Sequence, residues 1–114
     1  MKRLILFNTS ILTSYGAFRY NPLNLDKARK LVREFQTENK EIISAIGHKP
    51  VVEIVFELLE TPNTFNRIYA EQTTEDLGLV FKLQLNRRLE EGEILTREEI
   101  EEIGYEFGLL IRTK

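Results

Sequence analysis

The chain has 114 residues, 42% of them hydrophobic and 30% charged, with six glycines and three prolines, a composition that predicts one folded domain over residues 1–114. Sixteen Lys and Arg against eighteen Asp and Glu give a net charge of -2, which argues against a general nucleic-acid coat but allows a local basic pocket for a small anion. The absence of cysteine excludes disulfides, thiol nucleophiles and thiolate metal sites, and with a single histidine no metal or other cofactor is expected.

Met1-Lys2-Arg3 ahead of Leu4-Ile5-Leu6-Phe7 resembles the opening of a signal peptide, but the apolar run is short and Asn8 interrupts it. No stretch reaches the apolar length of a membrane helix, so no membrane partner and a cytoplasmic location are expected. Leu4 to Phe7 reads instead as a central strand buried on both faces, closed by Asn8-Thr9-Ser10, whose polar groups suit either backbone capping or ligand binding. Ser14-Tyr15-Gly16 forms a turn pattern, and Ala17 to Tyr20 a short edge strand before Pro22.

Asn24 is placed to cap a helix with Ala28, Leu31, Val32 and Phe35 on one face and Lys27, Arg29, Lys30 and Arg33 on a solvated one. After the polar link Thr37 to Lys40, Glu41 to Ile46 reads as another mostly buried strand. Pro50 suits the first position of a helix that is apolar over most of its circumference, from Val51 to Leu59, and ends near Thr61-Pro62-Asn63. From Asn66 the period changes to two. Residues 66–72 and the Leu79, Phe81, Leu83, Leu85 row, with Glu75 to Gly78 as the turn, predict an antiparallel hairpin. Asn86 to Ile94 is a charged loop, and Thr96 to Glu99 has the spacing of a capping box that opens a short acidic helix ending near Gly104. Tyr105, Phe107, Leu109 and Ile111 form a last strand. This order predicts an α+β domain with a mixed, mostly antiparallel sheet of about five strands and helices on one face.

The stretch Ala45 to Pro50 contains the only histidine, the side chain that titrates nearest neutrality, at a helix start. Helix N–H groups converge there, as a phosphate site requires, and Gly47 lets an anion approach the backbone. The same field disfavours the imidazolium that a proton donor needs. A bound phosphate reverses that penalty, as does Glu90 or Glu91 if the Asn86 to Ile94 loop folds over the helix start; a structural His48 with no catalytic role is the other reading. Arg87 to Glu91 also reads as a solvated loop with ion pairs of about 0–1 kcal/mol each. No phosphate-binding loop, dinucleotide fingerprint or nucleophile triad is present.

Taken together, Ile46-Gly47-His48, Asn66-Arg67, Gln84 and the run Arg88-Leu89-Glu90-Glu91-Gly92-Glu93-Ile94-Leu95-Thr96 followed by Glu98-Glu99 resemble the viral ring nucleases. These are small anti-CRISPR proteins of archaeal and bacterial viruses, with relatives in bacterial genomes, that degrade cyclic tetra-adenylate and so disarm type III CRISPR defence. The resemblance covers about Ala45 to Glu99, and more faintly Asn8. It implies that His48 is the catalytic histidine and Glu91 its supporting carboxylate. It further implies that Arg88 and Arg67 bind phosphate and ribose, that Asn8, Ser10 and Gln84 add polar contacts, and that Leu89 to Leu95 closes over the ring. The opening turn departs from the family, with Thr9-Ser10 in place of a longer Ala-Phe-Ser pattern, which sets Ser10 apart from the other positions. A two-fold homodimer, cyclic tetra-adenylate as partner and, for a virus-encoded chain, the host cytosol follow as expectations. A module that sequesters a cyclic nucleotide without cleaving it, or one that binds viral DNA or a host protein, remains the alternative.

Overall fold

The computed structural model describes residues 2–8, 15–46, 49–61, 70–84, 90, 93 and 95–114, which form five strands and three helices. The uninterrupted apolar run becomes β1 (Arg3–Phe7), and it lies between β3 (Glu41–Ser44) and β4 (Asp76–Leu83), parallel to both. β4 pairs antiparallel with β5 (Tyr105–Arg112), and β5 with the edge strand β2 (Phe18–Leu23), giving the order β2-β5-β4-β1-β3. The antiparallel ladders are the longer ones, so the sheet is mixed with antiparallel pairing in the majority. Pro22 lies within β2, beyond the expected end at Tyr20; an edge position tolerates a residue with no N–H to donate.

Alternation along the strands sorts the core into two layers. Leu4, Leu6, Leu79, Phe81 and Phe107 face one way and meet Ala28, Val32 and Phe35 of α1 (Leu25–Thr37), Ile54 and Val55 of α2 (Lys49–Leu58), and Ile100 of α3 (Arg97–Ile103). All three helices therefore cover one face, as the α+β reading requires. Each large apolar side chain removed from water here contributes about 1.5–3 kcal/mol before entropy is counted. Ile5, Phe7, Ile43, Val80 and Leu110 face the other way and pack with Ala70. Gln72 is fully buried on that side, where its Nε2 donates to the Leu110 carbonyl at 2.7 Å and its own carbonyl receives Arg112 Nη1 at 2.8 Å.

Local signals set the helix limits. Asn24 Oδ1 receives the Lys27 N–H at 2.8 Å, and α3 has the full Thr96–Glu99 capping box. Two residues beyond both α1 and α2 the chain takes a left-handed residue, Asn39 and Glu60. In each case the next N–H reaches back to the last turn, Lys40 to Phe35 at 2.9 Å and Thr61 to Phe56 at 3.2 Å. α2 begins one residue earlier than expected, with Pro50 second in the helix.

Two expectations are corrected. Residues 70–72 form no strand, and over Leu77–Val80 both edges of β4 are occupied, by β1 and β5, so the described part of the expected antiparallel hairpin between 66–72 and 79–85 does not form; residues 66–69 and Leu85 lie outside the described residues. Asp76, Leu77 and Gly78, assigned to its turn, are the opening of β4. Arg29 is not on a solvated face. Its Nε donates to the Leu58 carbonyl at 2.8 Å and its Nη2 pairs with Glu60 at 3.0 Å, so it ties α1 to the end of α2.

Candidate functional site

Because β3, β1 and β4 run parallel, their carboxyl ends share one edge of the sheet, the position where open α/β sheets generally bind ligands. Asn8 follows β1 directly and is half-buried there. Ala45 extends the β3 side, its N–H donating to the Leu6 carbonyl at 2.9 Å. Ile46 N–H then donates to the Ser44 hydroxyl at 3.3 Å, just before the two-residue link to α2. α2 starts at Lys49, three peptide steps from Ile46, so chain length alone keeps its N-terminus within about 11 Å of the strand end. The positive end of the helix dipole thus lies at this edge.

The β4 end adds a wall. Phe7 pairs with Val80, and β4 continues three residues past that point to Leu83, still paired with Phe107 to Tyr105 of β5. Phe81 and Phe107 support the extension with ring centroids 5.3 Å apart, and Tyr105 meets Phe107 edge-on at 6.0 Å. Gln84 caps the wall, exposed, with its N–H donating to the Gly104 carbonyl at 2.8 Å. Gly104 has φ +92°, a conformation that L side chains rarely adopt, and this lets α3 turn into β5 beside Gln84.

Of the residues the sequence pattern assigns to a site, Asn8 and Gln84 are therefore brought to the same edge. Ser10, Gly47, His48, Arg67, Arg88 and Glu91 lie outside the described residues. By chain order Gly47 and His48 are the link between Ile46 and Lys49, and Arg88 and Glu91 follow Gln84. The described residue after the Arg67 segment is Ala70, packed with Phe7 and Val80 on the helix-free face. The sequence pattern did not single out Ser44, whose signal is a hydroxyl closing an otherwise apolar strand just ahead of Gly47-His48.

The opposite edge has a different character. An open recess of about 320 Å³ there is lined by Lys2, Arg3, Glu41, Thr73, Glu75 and Asp76. Its charges pair with one another, Arg3 with Asp76 at 2.8 Å and Lys2 with Glu75 at 3.1 Å. Burial pushes the Asp76 carboxyl up, but bonds from Arg3 and from the Thr73 N–H and hydroxyl outweigh it and hold Asp76 below the usual carboxylate range. This recess ties strand ends together and is separate from the candidate site. Among the described residues no three His, Cys, Asp or Glu side chains gather to hold a metal ion, and no helix is long and apolar enough to cross a membrane.

A model of the family described as STIV B116-like matches residues 4–107. In sequence the chain is similar to a protein named "Uncharacterized protein 26" of Sulfolobus islandicus filamentous virus, with 32% identity over 88 residues, 76% of this chain and 69% of that one. It is also similar to "Uncharacterized protein YddF" of Bacillus subtilis, with 26% identity over 109 residues, 96% of each chain. In structure it is similar to B116 of Sulfolobus turreted icosahedral virus, with a TM-score of 0.76 and 22% identity, covering 98% of this chain and 100% of that one, a likeness of fold.

Proposed function

Because this chain belongs to the STIV B116-like family, we propose that it is a homodimeric, metal-independent ring nuclease that cleaves cyclic tetra-adenylate and so antagonises type III CRISPR signalling. One observation carries the reading. Asn8, the ends of the Gly47-His48 link and Gln84, which leads into the Arg88 to Glu91 run, share a single sheet edge at the start of α2. Asn8 and Gln84, far apart in the chain but joined in one sequence pattern, thereby lie at the same end of the sheet, which supports the reading.

An RNA linkage carries its own nucleophile. The 2′-oxygen bonds to phosphorus, the P–O5′ bond breaks, and the leaving 5′-oxygen takes a proton while the 2′-hydroxyl gives one up to water. His48 as imidazolium donates the proton to the leaving oxygen. Glu91 keeps that imidazolium charged and oriented, and Arg88, Arg67 and the helix N-terminus offset phosphate charge, with Gly47 allowing close approach. Arg88 and Arg67 also reach the ribose, and Asn8, Gln84 and Ser10 add polar contacts to the ring. A two-fold dimer presents two such sites to a ring that is itself symmetric, and the products are linear di-adenylates ending in 2′,3′-cyclic phosphate.

Incubation of labelled cyclic tetra-adenylate with the purified protein in EDTA tests the reading. The expected products are those di-adenylates. A ring that is bound but stays intact with excess protein supports sequestration instead, and tight duplex-DNA binding with a steep salt dependence supports a DNA-binding module.

A further inference from the structure

β4 and β5 run past the end of β1. The β1 ladder stops at Phe7↔Val80, whereas β4 stays paired with β5 as far as Leu83↔Tyr105. A step is left at the sheet edge, with the end of β1 as its floor and the paired ends of β4 and β5 as its wall. Leu83 and Tyr105 both pack against the core cluster of the helix-covered face. Asn8 is next in alternation after Leu4 and Leu6 of that cluster, so it belongs to the same face. By ordinary strand spacing β5 lies about 10 Å from β1, across β4.

Two side chains at this step carry unused binding capacity. The Tyr105 ring is half-buried and held by Phe81, its centroid 6.0 Å away, and by Phe107, edge-on at 6.0 Å. Its hydroxyl has no hydrogen-bond partner among the described residues, and neither has the half-buried side-chain amide of Asn8. An aromatic face already fixed by its neighbours loses little freedom when a flat ring stacks on it. The asparagine amide, an acceptor beside a donor, matches the N6 donor and N7 acceptor of adenine, whereas guanine presents two acceptors there. We propose that this step is an adenine subsite, in which a base stacks on Tyr105 and turns its N6 and N7 edge to the Asn8 amide. The assignment rests on the ring-nuclease reading and makes Tyr105, which lies outside the Ile46 to Glu99 pattern, a ligand contact that selects the base.

Equilibrium binding of the 2′-deoxy form of cyclic tetra-adenylate, which lacks the nucleophile and stays intact, measures the contact without turnover. Tyr105→Leu keeps an apolar side chain on the core and removes the aromatic face. It is expected to weaken binding about 5- to 150-fold, the effect of losing one stacked base, while Tyr105→Phe stays within about threefold. Wild type is expected to bind this ring at least about fivefold more tightly than the same ring built from inosine, whose six-position carries an acceptor, and Asn8→Ala to lose that margin. In the wild-type protein the Tyr105 ring protons are expected to shift upfield in NMR spectra on addition of the adenine ring and not on addition of inorganic phosphate, a change that a purely structural tyrosine would not show. Wild type that neither binds the deoxy ring nor cleaves the ribose form overturns the ring-nuclease reading and the subsite with it. Wild type that binds without cleaving the ribose form overturns the nuclease reading alone. Where the ring binds, equal affinity of wild type and Tyr105→Leu, or Tyr105 ring protons that do not move, overturns the subsite alone.

Discussion

Asp76 shows how one side chain can hold together segments far apart in sequence. Its carboxylate is nearly inaccessible and accepts four bonds: Arg3 Nε at 3.0 Å and Nη2 at 2.8 Å, the Thr73 N–H at 2.9 Å and the Thr73 hydroxyl at 3.0 Å. Arg3 also reaches the Glu71 carbonyl at 3.3 Å, so the start of β1, residues 71–73 and the start of β4 become one unit. The folded carboxyl is held below its usual value, so its contribution is complete above the unfolded value, about 3.9 for a free Asp, and is lost as pH falls through the folded one. Asp76→Asn is expected to lower stability at pH 7 by roughly 1.5–3 kcal/mol, the range for bonds to a charged group, and to flatten the acid side of the stability curve. Urea unfolding of both proteins from pH 7 down to pH 3 checks this. Parallel curves for the two proteins would show that another carboxylate governs the acid response.

At the scale of elements, close packing on the helix-free face depends on Gly108. A Cβ there would collide with the Tyr20 ring, which lies across β5 and has Lys82 Nζ 4.7 Å above its centroid. Gly108→Ala is expected to cost about 1–3 kcal/mol as overpacking, and the same change in a Tyr20→Ala background to cost much less. Denaturant midpoints of the two single variants and the double variant give the comparison, and an equal cost in both backgrounds would deny the collision. Elements with local causes were legible before the fold was known. The Asn24 cap, the Thr96–Glu99 box and the unbroken apolar run of β1 each lie within a few residues of the structure they produce. The hairpin was misread because period-two alternation reports that a strand exists and which side chains share a face, not which strand lies beside it. β4 takes its partners from residues 73 positions before it and about 28 after it, as Arg3↔Asp76 and Val80↔Gly108 show. Arg29 was misassigned for the same reason, since its partner Leu58 is 29 residues away on another helix.

At the scale of the whole molecule, the two edges of the sheet divide the work. Where β1, β3 and β4 begin, charges are paired and strand ends are tied. Where they finish lie Asn8, Gln84 and the N-terminus of α2, without such pairing of Asn8 or Gln84 among the described residues. The pattern from Ile46 to Glu99 names most of the proposed site in the sequence, but gives no physical reason for Asn8, Ile46 and Gln84 to lie at one end of the sheet. That reason is the parallel placement of β3 and β4 on either side of β1, which turns three separate strand ends into one edge. The contribution of Ser44 to that edge was hidden because a serine closing an apolar strand has many uses. The proposed acid catalysis through His48 is checked by single-turnover cleavage of cyclic tetra-adenylate in EDTA by wild type and His48→Ala. The variant is expected to bind the ring within a few-fold of wild type and to cleave it about 10²- to 10⁴-fold more slowly. Equal cleavage rates for the two proteins would contradict it.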